Sequence, residues 1–242
     1  MELLKQQEET LYKISDTESR SKSAIMNFKL EKSLFTIPEN WRSRKFTDIK
    51  DSVMKPISEN LKEWDFKNPT IAGIISVQNG IGKTHLATCV WKKYIHSYIE
   101  DKMEYYINKY NEGDEFAIRE FLSSDLRLNE KLLFLSEKKL ALTIQETFNS
   151  KSKSQLEAME YYCNLDFLII DDCFAMKQND FARQNIFYII DERSEWKNKP
   201  TFITSNLSLK EIADIDTRIA DRIRTSMLFE IKDKVKSYRE TK

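Results

Sequence analysis

The sequence predicts an α/β domain built on a parallel sheet, and three observations predict it. From residue 39 onward, short apolar runs alternate with segments of helical length, the pattern of a parallel sheet whose strands are buried on both faces. The run 71–77 leads into Gly80-Ile81-Gly82-Lys83-Thr84, and a second run, Phe167-Leu168-Ile169-Ile170, ends in Asp171-Asp172. Glycine is also scarce: the chain has four in 242 residues, and two of them flank Ile81.

The elements follow in order. Residues 1–33 mix charges, lack Gly and Pro, and scatter Leu3, Leu4, Leu11, Ile14, Ile25, Met26 and Phe28. They predict one or two helices whose apolar stripe is too thin to form a core alone. Such a segment is either a solvated helix packed on the main domain or a docking arm for a protein partner. Pro38 and 39–42 mark a boundary, which gives a segment 1–36 and a domain 37–242. A helix is expected near 52–64, and the five apolar residues within 71–77 predict a strand. His85, Ala87, Val90, Tyr94 and Ile95 predict a helix over 83–98. Residues 99–130 hold nine acidic residues against four basic ones, with Tyr105, Tyr106, Tyr110, Phe116 and Phe121, and are expected as an acidic helical insertion. It is either a solvated face or a second partner surface. Strands at 132–135, 167–170 and 201–204 are interleaved with helices at 137–148, 153–163 and 179–195. A short helix over 216–224 and a strand near 227–231 complete the chain.

Strand, glycine loop, Lys-Thr and helix form the layout of a P-loop. Loop N–H groups and the helix N-terminus there face phosphate oxygens. Lys83 would reach the β- and γ-phosphates of a nucleotide and the Thr84 hydroxyl would bind Mg²⁺. An apolar strand ending in two acids is the Walker B arrangement. In it Asp171 supports Mg²⁺, while Asp172 orients or deprotonates the attacking water. Asp172 is one methylene shorter than Glu, which predicts slow hydrolysis. Asn206, after the strand 201–204, reads either as a sensor amide for the γ-phosphate or as a cap for the helix from Leu209. Arg218 and Arg222 lie four apart on one helix face. They read as a solvated face or as an arginine finger that completes a neighbouring subunit's site.

Composition narrows the classes. Thirty-nine basic residues balance thirty-nine acidic ones, which argues against a general polyanion binder. Cys89, Cys163 and Cys173 have neither CxxC spacing nor nearby histidines, so buried thiols in a reducing compartment are expected rather than zinc or disulfides. The longest apolar run is too short to span a bilayer, and the polar, acidic N-terminus is no signal peptide. A cytoplasmic protein without a membrane partner is expected.

These motifs together resemble the DnaC/DnaI/IstB group of AAA+ ATPases, bacterial and phage helicase loaders and transposition helpers. The matching stretches are Asn79-Gly-Ile-Gly-Lys-Thr-His-Leu-Ala87, Leu165-Asp-Phe-Leu-Ile-Ile-Asp-Asp172, Ile189-Ile-Asp-Glu-Arg193, Lys199-Pro-Thr-Phe-Ile-Thr-Ser-Asn206 and Arg218-Ile-Ala-Asp-Arg-Ile223, with Lys236-Ser-Tyr-Arg239 at the end. The resemblance covers about 37–239. It implies an AAA+ core without a large lid, following a short helical N-terminal extension. It also implies ATP and Mg²⁺ held by Asn79, Gly80, Ile81, Gly82, Lys83, Thr84 and His85, with Arg239 a weaker sensor-like candidate. Lys83, Asp171, Asp172 and Asn206 would be catalytic, Arg222 the better finger and Arg218 beside it. The partners implied are a hexameric replicative helicase gripped by the N-terminal segment, single-stranded DNA, and further copies of the chain meeting at the ATP site. Lys138, Lys139, Lys151 and Lys153 fall where the family's DNA-contacting helices lie. An IstB-like transposition helper and a nucleotide-gated adaptor with little hydrolysis are the alternatives. Val77 departs from the pattern, standing where the motif has its first glycine. A β-branched residue there is expected to extend the strand into the loop.

Overall fold

The structure is a computed structural model that describes residues 18–34, 39–68, 70–147, 154–175 and 180–237. Its main elements, in chain order and leaving aside one-turn helices, are helix α1 (Glu18–Leu34), helix α2 (Met54–Glu63), strand β1 (Ile71–Ile75), helix α3 (Lys83–Asn111), helix α4 (Ala117–Ser123) and strand β2 (Leu132–Ser136). Helix α5 (Glu137–Glu146), helix α6 (Gln155–Asn164), strand β3 (Phe167–Cys173) and helix α7 (Asp180–Asp191) follow. Strand β4 (Thr201–Ser205), helix α8 (Leu209–Ile215), helix α9 (Thr217–Arg224) and strand β5 (Met227–Glu230) complete it. The chain forms two compact units, Met1–Ser43 with Lys92–Leu128, and Arg44–Trp91 with Asn129–Lys242.

The second unit holds a five-stranded, all-parallel sheet in the order β2-β3-β4-β1-β5. Every residue of β1 and β4 is buried, as expected of central strands covered on both faces. On one face Ile71, Ile75, Leu168, Ile170 and Ile203 join a core with Leu140 and Ile144 of α5, Ile186, Ile189 and Ile190 of α7, and Ile219 and Ile223 of α9. On the other, Phe167 and Phe202 meet Trp64, with ring centroids 6.3 and 6.2 Å away. At Gly73 β1 packs tightly on β4, where a Cβ would lie 2.6 Å from Ile203 Cγ1 and 2.9 Å from the Ile203 carbonyl oxygen. That contact requires glycine.

Arg193 locks the sheet to the helices behind it. It is fully buried in the π-helix Glu192–Trp196 that follows α7, and its guanidinium donates to Thr201 Oγ1 (2.7 Å) and to the carbonyls of Tyr162 (2.8 Å), Leu165 (2.8 Å) and Pro200 (2.7 Å). Its planar fork of donors satisfies the backbone ends of α6 and β4 together, which a lysine could not do. Beside it, burial pushes the Cys163 thiol up to about 12. All three cysteines are buried and free, as composition suggested.

The first unit accounts for two segments that looked separate in the sequence. Lys29 of α1 is 1% exposed; its Nζ donates to the Ser124 carbonyl (2.8 Å) and lies 4.9 Å from the centre of the Phe121 ring. The acidic insertion begins inside a helix rather than after one, because α3 continues past the expected end at 98 to Asn111. Residues 1–17, Lys151, Lys153 and Arg239 lie outside the described residues. Among the described residues, no helix is long and apolar enough to cross a membrane.

Candidate active site

Strand β1 ends two residues before the Val77 that was expected to extend it. Ser76 N–H still donates to the Ser205 carbonyl, but the Ser76 hydroxyl donates to the Ile231 carbonyl (2.9 Å) and accepts from Gln78 N–H (3.2 Å). This closes a turn that leaves Val77 58% exposed, so the valine does not lengthen β1, which ends at Ile75. Gly80 (φ 75°) and Gly82 (φ 99°) take the left-handed conformations that residues with a Cβ disfavour. Ile81 between them is buried and pins the loop to the core. The Gln78 side chain donates to the Asp233 carbonyl and accepts from Val235 N–H (2.9 Å), tying the loop to the chain after β5.

Lys83 opens α3 and curls over its own loop, donating to the carbonyls of Ser76 (3.0 Å) and Gln78 (2.7 Å). Those neutral acceptors hold the ammonium where an anion in the loop would meet it. Thr84 Oγ1 lies 3.2 and 3.1 Å from the two carboxylate oxygens of Asp171, joining the loop to β3. Asn79 is exposed at the loop tip. His85 faces away from this corner, its Nε2 2.9 Å from the Lys45 carbonyl oxygen and 3.8 Å from Asp48.

Asp171 and Asp172 occupy a bulge. The β3–β4 register runs evenly to Ile170 opposite Ile203 and resumes at Cys173 opposite Ser205, so both acids face Thr204 alone. Asp172 takes φ 59° and Phe174 φ 66°; each left-handed residue costs about 1–2 kcal/mol. Burial raises the Asp171 carboxyl above its usual range, against hydrogen bonds from Thr204 and Thr84 that favour the charged form; nearby Asp172 raises it further. Asn206 Nδ2 donates to the Asp172 carboxylate. The amide therefore serves the acid pair, and the cap of α8 is Ser208, in a reciprocal capping box with Glu211.

The arginines of α9 lie apart from this corner. Arg222 donates to Asp191 (2.8 Å) and to Glu195 (2.7 Å), and Arg218 pairs with Asp216 (2.7 Å) and stacks 4.3 Å over the Phe187 ring. Among the described residues, neither bonds to the loop or to the acids of β3. Two contributors escaped the sequence reading. Arg44 Nη1 donates to the Thr84 carbonyl (3.4 Å) and Thr88 Oγ1 (3.2 Å), and nothing in the basic loop stretch 42–45 marks it out from Arg42 or Lys45. Thr204 reads in sequence only as a good strand former.

The donor set fits a hard divalent cation. A threonine hydroxyl adjoins a half-buried carboxylate at the foot of a loop with two left-handed glycines, which is the oxygen-rich environment Mg²⁺ takes beside phosphates. When bound, such a cation would supply charge neutralisation for the phosphate oxygens, with Thr84 and Asp171 holding it.

Loop, acid pair and sheet order give the chain an AAA+-like P-loop fold. The family model of the bacterial DnaA ATPase domain matches residues 117–230. The chromosomal replication initiator protein DnaA of Chlorobaculum tepidum is 25% identical over 105 residues, 43% of this chain and 21% of that protein. A structure of the replication initiator DnaA bound to AMPPCP and single-stranded DNA superposes with a TM-score of 0.55 at 17% identity, covering 80% of this chain and 51% of that one. The DnaC helicase loader superposes with a TM-score of 0.54 at 19% identity, covering 81% of this chain and 100% of that one. The chain thus spans about a fifth of the curated DnaA and about half of the DnaA structure. The α/β AAA+ core and the DnaC-type resemblance read from the motifs are both borne out at the level of the fold.

Proposed function

We propose that this chain is an ATP-dependent helicase loader that binds single-stranded DNA and delivers a hexameric replicative helicase during replication initiation. The observation that carries the reading is the joined corner, with Thr84 on Asp171 and Asn206 on Asp172, set in a fold shared with the DnaC loader over that structure's whole length. In this reading the loop from Asn79 to Thr84 cradles the ATP phosphates and Lys83 moves from its loop carbonyls onto the γ-phosphate. Asp172 accepts a proton from the attacking water, which Asn206 helps to orient, and Arg222 completes the site of a second copy. The DnaA structure bound to single-stranded DNA supports that ligand class for the fold. Residues 1–36 are the proposed helicase-docking segment.

Copurification tests the loader role. The full chain with ATP and Mg²⁺ is expected to retain a hexameric helicase from its host, and a chain lacking residues 1–36 to lose it. Absence of any helicase contact by the full chain would sink this role. Preference for duplex over single-stranded DNA would point instead to a transposition helper.

One observation favours a second reading, a nucleotide-gated adaptor with little hydrolysis. Asp172 is the shorter acid, and its carboxylate is already engaged by Asn206. Turnover with and without single-stranded DNA, against a Lys83→Ala blank, separates the two.

A further inference from the structure

We infer that Thr204 is a positioning residue for ATP hydrolysis, its single hydroxyl setting the orientation of both acids at the end of β3. The inference rests on the ATPase reading of the loop and acid pair. Thr204 is 2% exposed in the middle of the sheet, and its hydroxyl is used in both directions. Oγ1 donates its hydrogen to Asp171 Oδ1 at 2.5 Å and accepts the Asp172 backbone N–H at 2.9 Å.

The bulge explains why the second bond matters. Two residues of β3 oppose one of β4, so the Asp172 N–H has lost its place in the ladder. The Thr204 side chain stands in for the missing backbone acceptor and holds Asp172 at φ 59°. A residue in that conformation persists when its surroundings over-determine it, and such strain concentrates at functional sites. Without the hydroxyl, a part-buried N–H would lack its acceptor and Asp171 its shortest donor. Asp171 would then rely on Thr84 alone among the side-chain hydroxyls bonded to it, and Thr84 is the group a metal ion would also claim. Two residues further on, Asn206 reaches the Asp172 carboxylate. The end of β4 therefore fixes Asp171 by its side chain, and Asp172 by its backbone through Thr204 and its carboxylate through Asn206.

This role needs a hydroxyl and not merely a β-branched shape. A purely structural threonine would be replaced well by valine, which has the same outline and equal strand preference. Substitutions separate the two. Thr204→Val, Thr204→Ser and Thr204→Cys are compared with the unaltered chain and the Lys83→Ala blank in three measurements. These are kcat and KM for ATP, affinity for a fluorescent ATP analogue with Mg²⁺ and with EDTA, and thermal midpoint without nucleotide. Thr204→Val is expected to lose about 10–100-fold in kcat, the usual effect of removing a group that orients a metal ligand, with KM little changed. It should also shrink the gain in nucleotide affinity that Mg²⁺ confers. Thr204→Ser should restore both. If Thr204→Val does not fold, Thr204→Cys takes its place, and the expectation is a slow Cys variant beside a normal Ser variant. Wild-type kcat and wild-type Mg²⁺ dependence in Thr204→Val would overturn the inference, as would equal losses in the Ser and Val variants. If the unaltered chain binds the analogue but turns over no faster than Lys83→Ala, the hydrolysis reading fails separately, and the Mg²⁺ dependence of binding still decides the role of Thr204. No binding at all would overturn both.

Discussion

At the end of β3, Asp171 is half-buried, touched by two threonine hydroxyls, and next to a second acid whose backbone is fixed in a left-handed turn. On α9, Arg222 lies half-exposed between Asp191 and Glu195, and Arg218 rests on an aromatic ring with 61% of its side chain exposed. The acid corner is assembled entirely within the chain, with each polar contact made by a short side chain on a strand or helix end. The arginine helix is neutralised by its own neighbours through long side chains at the surface, where such pairs are worth about 0.2–1 kcal/mol each. The difference teaches which part is preorganised and which can be redirected. Trading two surface pairs for a phosphate oxygen costs little, whereas the acid pair cannot move without undoing the bulge.

The largest expected effect breaks the arginine side of this comparison. Arg222→Ala is expected to lower ATP turnover about 10³-fold or more while nucleotide binding survives. The double change Asp191→Asn, Glu195→Gln should leave turnover at or above its starting value, because it frees Arg222 without removing it. Steady-state rates beside analogue binding check both.

A smaller effect comes from the sheet beneath the corner. Gly73→Ala places a Cβ against the Ile203 backbone, and overpacking of that kind costs about 1–3 kcal/mol. Thermal denaturation would read it as a fall of about 2–4 °C per kcal/mol. Turnover per folded molecule should fall too, since β1 and β4 carry the loop and Asn206.

The smallest effect sharpens the acid side and depends on pH. Burial raises the Asp171 carboxyl above 3.8, so the ionised form is less favourable in the folded chain than in the unfolded one. That penalty is absent below 3.8, grows as pH rises from there, and is complete above the folded-state value. Asp171→Asn without nucleotide should therefore melt close to the unaltered chain at acidic pH and above it near neutrality, while losing turnover. A melting difference that shrank with rising pH would contradict the assignment.

Much of this was legible in the sequence, for a physical reason. Strands buried on both faces read as short runs of apolar and β-branched residues, so Ile71–Ile75, Phe167–Ile170 and Thr201–Thr204 stood out without any tertiary information. The loop glycines were legible because their positive φ leaves few alternatives. What stayed hidden depends on contacts distant in sequence. Lys29 meets Ser124 across 95 positions, and neither residue type signals the other. Thr204 looked like any β-branched strand residue, because a bulge in the neighbouring strand leaves no mark in its own. Val77 misled for the opposite reason: its strand propensity is real, but the Ser76 hydroxyl turns the chain first.

The most direct test of an acid corner complete in one copy and an arginine supplied by another is a mixing experiment. In the proposed reading Lys83→Ala cannot use its own loop but keeps Arg222, and Arg222→Ala keeps a whole loop but lacks the proposed finger. ATP turnover is measured for each alone and for the two together with single-stranded DNA. Each variant alone is expected to be inactive, and the mixture to recover turnover, because one copy's Arg222 reaches the other's intact site. A mixture no more active than its parts, or an Arg222→Ala chain that hydrolyses ATP at the unaltered rate, would contradict the account.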